Sequence, residues 1–140
     1  MIISFTVPGR PVPKGRPRVT RFGTYTPEAT RNYERAVRES WERQSGQFFP
    51  EGAPIEVHVT AHFPIPESAS KKRRTAMEGA PHTQHRGDID NVVKSVLDAL
   101  NGFAFADDSA VCCIRAYKDY RSEPSTEVTI MPYEEKEETP

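Results

Sequence analysis

Two cysteines and one tryptophan are all that the 140-residue chain holds of those types, and it has no apolar run near the roughly 20 residues a membrane-spanning helix needs. Cys112 and Cys113 are neighbours in a stretch that reads as a strand, where successive side chains point to opposite faces, so a disulfide between them is not expected. The opening MIISFTVPGR lacks the basic start and apolar stretch of a secretory signal, and a cytoplasmic chain is expected. No phosphate-cradling glycine loop, GxSxG or HExxH occurs, which argues against nucleotide hydrolysis, serine hydrolase and zinc protease chemistry. His82, His85 and the cysteine pair lack CxxC spacing, so they make a weak case for zinc. With 36% hydrophobic and 28% charged residues the chain is too polar for a membrane protein and too apolar for a disordered one, which leaves one globular domain.

The net charge of −1 hides an asymmetry. Residues 1–38 carry Arg10, Lys14, Arg16, Arg18, Arg21, Arg31, Arg35 and Arg38 against only Glu28 and Glu34. From residue 119 onward acids dominate, and residues 134–140 read as an acidic tail beyond a folded unit of residues 1–133. A basic front half on a near-neutral chain suits either a polyanion or an ordinary solvated surface.

Ile2–Val7 reads as a strand ended by Pro8-Gly9, followed by a basic loop to Thr26 with a short hairpin around Phe22-Gly23. Thr26-Pro27 opens a helix to about Gln44, with Thr26 as cap and an apolar face of Ala29, Tyr33, Ala36, Val37 and Trp41. Ile55–Phe63 alternates as a half-buried strand, and residues 68–77 can form a short helix. Asp88–Asn101 is the clearest helix, stopped by Gly102. Val111–Tyr120 and Thr126–Met131 read as two strands joined in a hairpin. The order β, α, β, α, β, β predicts an α/β (α+β) fold, a small mixed sheet with two main helices.

The chemistry concentrates in GDIDNVVKSVLDALNGFAFADDSAV, residues 87–111. Asp88 and Asp90 are two apart at a helix entry and can project to one side. Lys94 lies one turn further, and Asp107-Asp108 precede a strand. Carboxylates are the hard ligands that Mg²⁺ or Mn²⁺ takes, and several of them beside a lysine suit metal-dependent phosphodiester hydrolysis. The same residues also fit a helix cap, a solvated i,i+4 pair and a turn. Asp98 lies eight residues past Asp90, about 12 Å along a helix, which is too far to share one ion. A structural role follows for it, such as bonding backbone amides before Asp107. The KKRR run at residues 71–74 leads towards the aspartates and suits phosphate contact or plain solvation.

DIDNVVKSVLDALNGFAFADDSAV resembles the signature of the RusA family of Holliday junction resolvases, and the start, a strand then PVPKGRPR and a YTP helix entry, resembles that family's phage and Gram-positive branch. The resemblance spans roughly residues 1–131. It implies metal-binding aspartates at Asp88, Asp90 and Asp108, with Asp107 adjacent, and a catalytic lysine at Lys94. It implies a homodimer with one acidic site per subunit that resolves four-way DNA junctions by paired symmetrical nicks, using Mg²⁺ or Mn²⁺, inside a bacterial cell. Lys14, Arg16, Arg18, Lys71, Lys72, Arg73, Arg74 and Arg86 are the candidate DNA contacts. Some members carry a basic residue directly before the first aspartate, where this chain has Gly87. Rival expectations are a nuclease for forks or flaps, and a non-catalytic binder of DNA structure.

Overall fold

The structure is a computed structural model; it describes residues 1–84 and 87–134, and of Arg18 the backbone alone. His85, Arg86 and all but the first residue of the acidic tail therefore lie outside the described residues.

Alternation of apolar and polar residues builds the sheet. Strand β1 (Ile3–Pro8) buries Ile3, Phe5 and Val7, and β4 (Ile55–Pro64) buries Ile55, Val57, Val59, Ala61 and Phe63. Between them run a two-stranded hairpin, β2 (Arg18–Thr20) with β3 (Gly23–Tyr25), and helix α1 (Glu28–Gln44). Helices α2 (Lys71–Met77) and α3 (Ile89–Leu100) follow, then β5 (Val111–Arg121) and β6 (Ser125–Pro132).

The four long strands form one mixed sheet in the order β1-β6-β4-β5. β6 runs antiparallel to both β1 and β4, and β5 runs parallel to β4, so β1, β4 and β5 share one direction. α1 and α3 cover one face. Tyr33, Val37 and Trp41 of α1 and Val92, Val93, Val96 and Leu100 of α3 join the inward residues of β1, β4 and β6 in one core. The Tyr33 hydroxyl hydrogen-bonds the Thr126 hydroxyl of β6 at 2.6 Å, and burial pushes its pKa up to about 12.

Two expectations change here. β5 and β6 are not a hairpin, because β4 lies between them. β4, with buried residues alternating with half-buried ones along most of its length, takes a partner on each side, and the link from Arg121 to Ser125, four steps of about 3.3 Å, is long enough to cross two strand spacings of about 4.8 Å. α1 begins one residue later than expected: Pro27 holds the cap position with no side-chain cap bond, and Thr26 lies outside. Its buried face is rotated towards Thr30 and Ser40, while Ala29 is exposed.

Candidate active site

The entry to α3 is set by Gly87. Its φ is +131°, and a Cβ there would stand 2.7 Å from the Phe63 ring, so both backbone and space demand glycine. This accounts for the missing basic residue at that position. From β5, the Lys118 ammonium donates to the carbonyls of Gly87, at 2.9 Å, and Gln84, at 3.3 Å, and fixes the approach.

Asp88 then takes the N-cap position of α3. Its backbone carbonyl accepts from the N–H groups of Asn91 and Val92, at 3.1 and 3.2 Å, but its carboxylate makes no cap hydrogen bond. Asp90 and Lys94 follow on the exposed side of the first turns. With the described residues, Asp88, Asp90 and Lys94 form no ion pair, so the solvated Asp90–Lys94 pair is not present. Two carboxylates and an ammonium are left facing outward at the positive end of a helix.

The basic N-terminal segment is laid against this end of α3. The Lys14 N–H donates to the Asn91 carbonyl at 2.8 Å, the Ser95 hydroxyl to the Val12 carbonyl at 2.9 Å, and the Gly15 N–H to the Thr30 hydroxyl at 3.0 Å. The segment thus lies clamped between α1 and α3. This corrects the expectation for Lys14, whose ammonium meets no solvent-borne phosphate but is held by Glu34 at 2.5 Å and Asp98 at 3.1 Å. Burial pulls its pKa down, yet the two carboxylates outweigh that and raise it. Asp98 is structural, as the helical spacing requires, but its partner is Lys14 rather than loop amides. Arg16 is exposed, and Arg18 opens strand β2.

The KKRR run forms α2, capped by the Ser70 hydroxyl, which accepts from the Arg73 N–H at 3.2 Å. Lys71, Lys72 and Arg73 are exposed, while the half-buried Arg74 donates to the Pro66 carbonyl at 3.1 Å. The chain then runs along the end of β5, where the N–H of Gly79 donates to the Tyr120 carbonyl at 2.7 Å and that of His82 to the Lys118 carbonyl at 3.1 Å. His82 is buried between the rings of Phe63 and Tyr120, and burial, then the charge of Lys118, lowers its pKa. The basic loop, the segment after α2 and the turn at Asp88 therefore all lie towards the carboxyl ends of the parallel strands β1, β4 and β5.

Asp107 and Asp108 lie elsewhere. They form the turn into β5, just past the other end of the 12-residue α3, which is about 18 Å long. Both are exposed, and Asp107 lines a cavity with Phe49, Pro50 and Cys112. Hydrogen bonding to the Ser109 hydroxyl, foremost, holds the Asp107 carboxyl below its ordinary range. Among the described residues no group of three or more His, Cys, Asp or Glu side chains is placed to hold a metal ion. Asp88, Asp90 and Lys94 share the entry and first turns of α3, and Asp107 and Asp108 follow its other end.

The match to known proteins covers nearly the whole chain. The model of the endodeoxyribonuclease RusA family matches residues 8–131, from the end of β1 to the end of β6. The chain belongs to the RusA endodeoxyribonuclease family. It is also similar to an uncharacterized protein, YqaN, of Bacillus subtilis (strain 168), with 33% identity over 135 residues, covering 91% of this chain and 94% of that one. Family membership makes this protein a nuclease of the hydrolytic kind, and no helix among the described residues is long and apolar enough to cross a membrane. Lys118, Ser95 and the Glu34–Lys14–Asp98 bridge escape any local motif, because their partners lie far off in sequence. Only the glycine before Asp88 carried a signal, a residue type that permits positive φ at a helix entry.

Proposed function

We propose that the protein resolves four-way DNA junctions by paired symmetrical nicks as a homodimer, with Mg²⁺ as its metal and Mn²⁺ able to replace it, in DNA recombination and repair. The observation that carries this is Asp88: a cap residue whose carboxylate is not spent on capping, followed by the exposed Asp90 and Lys94 on the first turns of α3.

Asp88 and Asp90 suit a Mg²⁺ ion, which binds through one or two carboxylates and leaves its other positions to water and substrate phosphate. When bound, the ion supplies Lewis acidity at the scissile phosphate and a lowered pKa for the attacking water. Lys94 holds a fixed positive charge one turn from Asp90, where charge develops on the phosphate in the transition state. Arg16, Lys71, Lys72 and Arg73 are exposed cations of the same region and draw the phosphate backbone to it. Lys118 and Gly87 act only through Asp88, by fixing the turn that presents it. Asp108 lies past the far end of α3, which is about 18 Å long, so its place in this reading is at the centre of the second copy in the homodimer.

The test is incubation with labelled mobile four-way junctions, forks and plain duplexes, with and without Mg²⁺. Paired nicks in the junction, dependent on Mg²⁺, support the reading. Cutting of forks in preference to junctions would move the substrate to other branched DNA, and binding without cutting would make the protein a structure-specific binder.

A further inference from the structure

The β2–β3 hairpin stands out from the body of the protein with its apolar residues bare. Val19 is 81% exposed, Phe22 89% and Tyr25 47%. Every residue from Arg21 to Tyr25 is exposed among the described residues. A hairpin of two three-residue strands has little stability of its own, and three apolar side chains left in water call for a partner.

The charge of the hairpin says which partner. Between Gly9 and Pro27 the chain carries Arg10, Lys14, Arg16, Arg18 and Arg21 and no acid. Lys14 is neutralised by Glu34 and Asp98, but Arg16 and Arg21 are exposed. At the tip, the Arg21 guanidinium lies over one face of the Phe22 ring, 5.1 Å from its centroid. The other face of the ring is open. An aromatic face beside a cation, on a segment with no negative charge, matches an unpaired nucleobase with its phosphate: the base stacks on the ring and the arginine meets the backbone.

The position fits as well. The hairpin springs from the segment that Lys14 ties to Asn91, next to Asp90. Phe22 is eight steps along the chain from Lys14, so the tip lies within about 28 Å of that anchor. That span is up to about eight base steps at 3.4 Å each, so a base displaced near the cutting site is within reach.

We infer that Phe22 is a specificity-determining residue, which stacks on a base left unpaired at a DNA branch point and so favours branched over plain duplex DNA. This rests on the nuclease function proposed above, and extends it to how the branch is read.

The test compares the parent with Phe22→Ala and Phe22→Trp, measuring binding to a four-way junction and to a duplex of the same sequence, with Ca²⁺ in place of Mg²⁺. Because Phe22 is exposed, neither change threatens the fold. Phe22→Ala should weaken junction binding between about fivefold and 150-fold, the loss of one base–aromatic stack, and leave duplex binding within about twofold. Phe22→Trp should restore junction binding. Its added indole, set against the buried Trp41 of the parent, should lose emission when junction is added but not when duplex is added. The inference is overturned if Phe22→Ala binds the junction as the parent does, or weakens junction and duplex alike. It is equally overturned if the variant changes the molecular mass in solution, which would give the hairpin to a second copy of the chain. A parent that itself shows no preference for the junction would instead overturn the proposed function, and this inference with it.

Discussion

Asp88 and Asp98 are both aspartates of the α3 segment, yet their surroundings give them opposite tasks. Asp88 ends a turn held by Gly87 and Lys118 and keeps its carboxylate free of the cap, whereas Asp98 spends its charge on Lys14. Asp88→Asn and Asp90→Asn should each lower junction cleavage at least about 100-fold while junction binding in Ca²⁺ stays within a few fold. Asp98→Asn should lower stability by up to about 1 kcal/mol, since the bridge it breaks is partly exposed, and leave the Mg²⁺ concentration for half-maximal rate unchanged. Thermal unfolding and Mg²⁺ titrations separate the two classes of effect. His62 offers a pH readout on the far side of the sheet. Its Nδ1 meets the Asp119 carboxylate at 2.5 Å and its Nε2 the Glu127 carboxylate at 2.7 Å. Burial alone would lower its pKa, but Glu127 and Asp119 outweigh that and raise it. A raised folded-state pKa means that the stabilisation is complete below the unfolded histidine range near 6.5 and is lost as pH rises through the folded value. Melting temperatures should therefore fall from pH 6 towards alkaline pH more steeply in the parent than in His62→Gln.

Among the elements, α3 holds most of the candidate site residues and is the easiest to read in the sequence. Its apolar face, its acidic entry and its glycine stop all lie within fifteen residues, so local physics suffices for its bounds. The β5–β6 relation was not legible, because two adjacent strands with a short link look alike whether they pair or straddle a third. Lys14 was misjudged for a similar reason. A lysine in a Pro-Gly loop reads as solvated, and only the packing of that loop between α1 and α3 brings Glu34 and Asp98 to it. Gly87 joins the element to its neighbour. Gly87→Ala forces a methyl into the Phe63 ring at positive φ, and should cost on the order of 1–3 kcal/mol. It should also reduce cleavage through displacement of Asp88. Denaturant unfolding together with a cleavage assay well below the melting temperature checks both effects.

At the scale of the molecule, the basic loop, α2 and the α3 entry share one end of the sheet, while Asp107 and Asp108 mark the other. The family resemblance names the aspartates one by one but not their grouping, because spacing in sequence says nothing of a helix set between the two pairs. Mixed dimers decide whether the second pair acts from the other copy. Chains with Asp88→Asn and chains with Asp108→Asn, each inactive alone, should regain up to about half of the parent's sites per mixed dimer if a centre draws on both copies. They should stay inactive if each centre belongs to one chain. The central claim, that the carboxylates at the α3 entry hold the metal with which the protein cuts branched DNA, is tested most directly by four-way junction cleavage across a Mg²⁺ titration, in the parent and in Asp88→Asn. Mg²⁺-dependent nicking in the parent, with no detectable nicking by a variant that still binds the junction, is the expected result. Undiminished nicking by Asp88→Asn at limiting Mg²⁺ would contradict it.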